Sequence, residues 1–198
     1  MTEEPGRREQ KRQETRLRLA QAARRLFLEQ GFDRTKIEDI AAAAGVSRRT
    51  FFHYFDTKED VIFSRFDDFE RALATAVREV PPQESVLALA QHVVTAMLVF
   101  LDPEESREIE QLKRDTPALR VRDQVKYQWL EGTIATALAE RTGTPPGDLR
   151  TKLDAVLIAG VLRVALDGWL EAAEAGVSAS EHVRQVVQAL EAILTRVG

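Results

Sequence analysis

The sequence predicts an all-α protein of about nine helices, with a three-helix N-terminal head and a larger helical bundle behind it. Three observations carry this. Apolar residues recur at three- and four-residue spacing through most of the chain, while β-branched residues rarely alternate with polar ones. The ten glycines and seven prolines cluster at intervals of one helix length, where they stop helices. A hydrophobic fraction of 44% in 198 residues is enough to bury a core and excludes wholesale disorder.

The elements follow in order. Residues 1–13 are polar and mixed in charge, without an apolar period, and read as a flexible arm. From Glu14 a helical stripe forms on Leu19, Ala22, Ala23, Leu26 and Phe27, and Gly31 ends it. Thr35 and Glu38 have the spacing of a capping box that opens a short helix, residues 37–44. Gly45, Val46 and Ser47 make a turn, and Ser47 caps a third helix, residues 48–55. After Thr57 a fourth helix carries Ile62, Phe66, Phe69, Leu73, Val77 and Val80 until Pro81 and Pro82 end it. The remainder reads as helices over 86–101, 104–114, 117–141 and 148–175, and a last helix begins after a Ser178–Glu181 capping box. That last helix is striped by Val183, Val186, Val187, Leu190, Ile193, Leu194 and Val197. The resulting domain division is an arm at 1–13, a head at 14–60 and a body at 61–198.

Several function classes drop out on composition. With no cysteine there are no disulfides, thiolate chemistry or Cys-built zinc sites. His53, His92 and His182 are scattered, no HExxH pair exists, and no metal or cofactor site is expected. G-x-S-x-G, G-x-G-x-x-G and Walker A spacings are also missing, so the chain does not read as an enzyme. No basic-then-apolar start resembles a signal peptide, which predicts a cytoplasmic location. The apolar stretch at 86–101 is too short and too polar to span a bilayer. The net charge of −4 is uneven: +2 over residues 1–60 and −6 over the rest. A weakly basic head on an acidic body permits contact with nucleic acid through the head alone.

The run IEDIAAAAGVSRRTFFHYFD, residues 37–56, has the logic of a helix-turn-helix. Ala41 sits where two helices cross closely, and Gly45 gives the turn its backbone freedom. Ile37, Ile40, Ala44, Val46, Phe51 and Phe55 form the inward side. Arg49, Thr50, Phe52 and His53 project from the opposite arc, with Arg48 leading the helix. An N-terminal arginine pair on an outward helix suits base edges in a major groove. Thr50, Tyr54 and Lys58 are placed to donate to phosphates, as is Lys36 at the start of the preceding helix.

The longer run TKIEDIAAAAGVSRRTFFHYFDTKEDVI, residues 35–62, with LFLEQGF before it, resembles the DNA-binding region of TetR-type transcriptional regulators. The resemblance places Ser47, Arg48, Arg49, Thr50, Phe52, His53, Tyr54 and Lys58 at recognition-helix and phosphate-contact positions. Asp56 stands where many relatives have proline, in the loop before the fourth helix. The resemblance implies a dimeric, ligand-responsive repressor that binds a palindromic double-stranded operator and is released by a small molecule. An activator, or a DNA-organising or protein-binding member of the same fold, is the alternative.

The body supplies the other two expectations. Residues 148–175 are apolar on two faces: Leu153, Val156, Leu157, Gly160 and Val164 on one, Ile158, Val161, Leu162, Ala165 and Trp169 on the other. One monomer covers only one of them, so the second is left for a homodimer partner. The interface is expected on Leu157, Val161, Ala165, Trp169, Val187, Leu190 and Leu194. An effector pocket, implied by the resemblance, is expected to be lined by Phe66, Phe69, Val93, Met97, Phe100, Tyr127, Trp129 and Leu130. Arg163 reads either as an i,i+4 partner of Asp167 or as a ligand anchor. The stretch 115–150 is also similar to C-terminal domains of actinobacterial relatives, some of which respond to acyl-thioester-type ligands.

Overall fold

The computed structural model describes residues 5–98, 100–145 and 147–195, with Pro5 and Leu194 described by backbone alone. Residues 1–4 of the expected arm, Pro146 of the expected linker, Val197 and the side chain of Leu194 lie outside the described residues. Among the described residues there are ten helices and no strand: α1 (Pro5–Gln30), α2 (Ile37–Ala43), α3 (Arg48–Tyr54), α4 (Lys58–Ile62), α5 (Phe66–Glu79), α6 (Val86–Leu98), α7 (Pro103–Asp115), α8 (Pro117–Thr142), α9 (Leu149–Glu174) and α10 (Ala179–Leu194). The all-α expectation holds, and the count exceeds nine because the expected fourth helix is two. Its chain tightens into three-residue turns at Phe63, Ser64 and Phe66, whose amides bond back to Asp60, Val61 and Phe63.

The start of α1 differs too. Residues 5–13, read as a flexible arm, continue the helix toward its N-terminus. Arg, Lys, Gln and Glu are good helix formers, so a segment without an apolar period still extends a helix already nucleated by a buried half.

The chain divides into two compact units: Met1–Phe66 with Glu108–Val121, and Asp67–Arg107 with Arg122–Gly198. In the first, Leu19, Ala23 and Phe27 of α1 pack with Ile40 and Ala41 of α2, Phe51 and Phe55 around α3, and Val61 and Ile62 of α4. Leu112 and Leu119, outside the segment 14–60, complete this core. In the second unit α6, α9 and α10 pack on one another. Leu89, Val93, Val94 and Met97 of α6, Ile158, Leu162 and Ala165 of α9, and Val183 and Val187 of α10 are buried. Asp148 caps α9 by accepting the Thr151 amide at 3.0 Å, and that bond holds its carboxyl below the usual range. No single helix among the described residues is long and apolar enough to cross a membrane.

Candidate nucleic-acid interface

The outward surface of α3 depends on how tightly its inner side is seated. Phe51 is fully buried, with Phe55 at 5.8 Å between ring centroids on the same side. Before the helix, Gly45 takes φ +68 and the Val46 amide bonds back to the Ala41 carbonyl at 2.9 Å, closing α2. Ser47 then caps α3, accepting the Thr50 amide at 3.0 Å. A residue with a Cβ is strained at that φ, which explains glycine at position 45.

The start of α2 departs from the sequence reading by one residue. Lys36 is the N-cap, and Asp39, not Glu38, accepts the cap amide at 3.0 Å. Thr35 is buried instead: its hydroxyl donates to the Gly31 carbonyl at 2.8 Å and accepts from Gln30 at 3.2 Å. It satisfies the end of α1, a competing set of orphan carbonyls. Glu38 is thereby released to pair with Arg48 at 3.0 Å.

The expected contact residues separate into four groups. Arg49, Thr50, Phe52, His53 and Tyr54 line one shallow concavity of about 510 Å³ on α3. Within it, His53 and Tyr54 meet edge-on at 5.3 Å, and Phe52 stays 43% exposed. The Arg49 guanidinium is exposed and has no ion pair among the described residues. Arg48 is exposed but held, by Glu38 and by the Phe52 ring 5.5 Å beneath its guanidinium. Lys36 is exposed at the N-cap of α2, and Ser47 is exposed but engaged as a cap.

Lys58 corrects the expectation. Its ammonium turns inward, donating to the Phe32 carbonyl at 2.7 Å and the Thr35 carbonyl at 3.3 Å, above the Phe32 ring at 4.2 Å. Two backbone oxygens and an aromatic face hold the charge within the head, so Lys58 is a brace between α4 and the α1–α2 connection. The Glu38–Arg48 pair was not foreseen, because ten residues separate the two and no helical period links them.

The body also redistributes the expected residues. Val93, Met97 and Leu130 are buried core, and Phe69 meets Phe100 edge-on at 6.2 Å. Phe66 is half-buried. A concavity of about 850 Å³ lies instead between α5 and α8, lined by Glu70, Arg71, Arg78, Gln128, Trp129 and Thr133 among others. Of the expected pocket residues only Trp129 borders it. The groove was missed because aromatic residues were weighted over the polar faces of two amphipathic helices. Thr133 donates to Glu70 at 2.5 Å and Arg78 pairs with Glu140 at 2.7 Å, tying α5 to α8. Arg163 is neither bonded to Asp167 nor in the groove. It stacks at 6.0 Å over Tyr127, whose hydroxyl donates to Asp167 at 3.1 Å. Burial pushes the Tyr127 phenol above its ordinary pKa, and Asp167 and Asp123 add to the shift.

The expected interface mixed two faces of α9. Ala165 and Trp169 point into their own unit, where His182 bonds the Ala165 carbonyl at 2.9 Å and lies 6.0 Å from the Trp169 ring. Gly168 permits this approach, since a Cβ there would stand 3.3 Å from the imidazole. Val187 is buried with them, and Leu157, Val161 and Leu190 are half-buried. The uncovered face is the other stripe: Leu149, Leu153, Val156 and Val164 are 72%, 60%, 50% and 59% exposed.

Two family models match the chain. Residues 19–64 match the bacterial regulatory proteins of the tetR family, and residues 84–195 match the MftR C-terminal domain. MftR of Mycobacterium tuberculosis, named for mycofactocin biosynthesis, is 30% identical over 77% of this chain and 78% of its own. The transcriptional regulator TcmR of Streptomyces glaucescens is 29% identical over 83% and 77%. Among solved structures, a TetR-family regulator of Streptomyces coelicolor superimposes with a TM-score of 0.51 at 25% identity, covering 98% of this chain and 99% of that one. The fatty acid degradation regulator FadR of Bacillus halodurans shares the fold, with a TM-score of 0.58 at 22% identity over 96% of each chain.

Proposed function

This chain belongs to the tetR family of bacterial regulatory proteins, and from that membership we propose that it is a dimeric repressor released from its operator by a small molecule. The observation that carries the reading is the α3 surface: Arg49, Phe52 and His53 exposed on a helix whose other side is locked by Phe51 and Phe55. A rigid helix presenting an arginine free of internal partners is suited to reading base edges. Each head takes one half of an approximate palindrome, with half-sites about 34–36 Å apart. Titration against duplex from the chain's own upstream region, at several salt concentrations, tests this. A salt-sensitive, sequence-preferring complex supports it, and failure to prefer any sequence removes it.

Arg49 and Lys36 have separable roles. Arg49→Ala relaxes discrimination at one or two base pairs, costing about 1–3 kcal/mol on the preferred site. Lys36→Ala weakens all sequences alike and lowers the salt slope by about one per head. Anisotropy titrations on matched and mismatched duplexes distinguish the two, and equal behaviour of both variants contradicts the division.

The α5–α8 groove is the effector site of this reading. Trp129 is 62% exposed beside it, while Trp169, the other tryptophan, is buried. An effector seated there shifts the emission of Trp129 to the blue as water is displaced. Trp129→Phe abolishes the shift, whereas a response that survives this change places the effector elsewhere.

A further inference from the structure

We infer that the N-terminal half of α1 is a second DNA-contacting element, a helical ladder in which Arg8 and Arg12 hold phosphates beside each half-site. The inference rests on the DNA-binding reading for the polymer it meets, and on this chain's own geometry for its placement. Residues 5–18 precede the part of the head that matches the family, yet they form the first half of a continuous 26-residue helix.

This half buries little: residues 6–14 are exposed, and only Thr15 and Arg16 are half-buried. Leu17, its large apolar side chain, is 51% exposed. What it carries is charge: Arg7, Arg8, Lys11, Arg12, Arg16 and Arg18 against Glu9 and Glu14. At about 100° per residue the six cations fall within roughly half the circumference and both acids in the other half. Within this cationic arc Arg8 and Arg12 are exposed, where an anionic partner can reach them.

Arg16 locates that face. Its guanidinium lies 5.8 Å from the centre of the Phe55 ring, and Phe55 is the C-cap of α3. Arg12 and Arg8 follow at successive four-residue steps, on the same side of the helix and rising about 6 Å per step. The ladder therefore begins at the end of the recognition helix and continues past the head. A duplex engaged by α3 presents one phosphate charge per about 3.4 Å of axis on each strand. Arg8 and Arg12, both exposed, each meet a separate phosphate through a planar fork suited to paired oxygens. The contact carries no base information: it adds affinity and salt dependence to whatever sequence α3 selects.

The test uses the full chain with Arg8 and Arg12 both replaced by Ala, which preserves helix propensity, and again by Lys, which preserves charge. Each is titrated by anisotropy from 50 to 200 mM salt on two duplexes of about 40 base pairs. One is taken from the upstream region of the chain's own coding sequence, the other is of random sequence. For the Ala variant the salt slope falls by about two per bound head on both duplexes. Affinity falls at least tenfold at the lower salt, and the ratio between the duplexes changes less than twofold. The Lys variant recovers most of the slope. An unchanged slope overturns the inference, whether or not affinity changes, because phosphate neutralisation must appear there. A changed duplex ratio overturns it too, since the contact would then be reading bases. If the native chain prefers neither duplex, the operator reading fails by itself, and the random duplex still judges the ladder.

Discussion

Val156→Asp yields a folded monomer that has lost its operator. Val156 is half exposed in the isolated chain, so an aspartate there stays solvated until a partner covers it. In a dimer built on the outward stripe of α9, the same carboxylate is buried against apolar side chains without a counter-charge, at a cost of several kcal/mol. Most interfaces do not tolerate that loss. Operator affinity then falls by roughly 10²–10⁴, because the second head no longer binds at the effective concentration set by the first. Sedimentation and operator titration on one sample measure both effects. A control separates assembly from folding: Ala165→Asp, on the inward face beside His182, destabilises the monomer itself. A Val156→Asp protein that remains dimeric would place the interface off this stripe. A folded monomer with native operator affinity would show that dimerisation is not how half-sites are linked.

That experiment exposes the limit of reading α9 from periodicity. The sequence shows two apolar stripes on this helix, and a helical wheel treats them alike. Which one faces inward is decided by α6 and α10, and the sign of it in the sequence is small: Gly168 stands where a Cβ would press to 3.3 Å against the His182 imidazole. The same limit applies to Lys58, where charge and position suggested phosphate but the side chain finds two carbonyls in its own head. It applies again to Thr35, whose spacing to Glu38 fits a capping box while the end of α1 competes for its hydroxyl. The helix-turn-helix was more legible. Its residues interact within about twenty positions, and a positive φ at Gly45, a cap at Ser47 and a buried Phe51 each leave a local mark. Long-range choices leave little or none, so the groove between α5 and α8 and the contribution of Leu112 and Leu119 to the head core emerge only from the fold.

Phe51→Ala removes DNA binding by unseating α3 while the α6–α9–α10 core stays intact. Phe51 is fully buried at the centre of the head core, in contact range of both Phe52 and Phe55. Truncating a buried phenylalanine to alanine costs about 3–5 kcal/mol through lost burial and the cavity left behind. A whole domain has about 5–15 kcal/mol to lose, and the head is a small one. A seven-residue helix has no independent stability, so it does not survive without its anchor. The neighbouring Phe52→Ala is the informative contrast. Phe52 is 43% exposed and contributes little to the core, so that variant keeps a folded head and loses affinity only through the contact surface and the support beneath Arg48. Amide hydrogen exchange resolves the pair. In Phe51→Ala, protection disappears across α2, α3 and α4 while α6, α9 and α10 retain theirs, and sedimentation still reports a dimer. In Phe52→Ala, protection is native throughout and operator affinity is reduced. Native affinity in Phe51→Ala would mean that α3 is held by something other than this ring. Loss of protection in α9 and α10 as well would mean that the two compact units unfold as one.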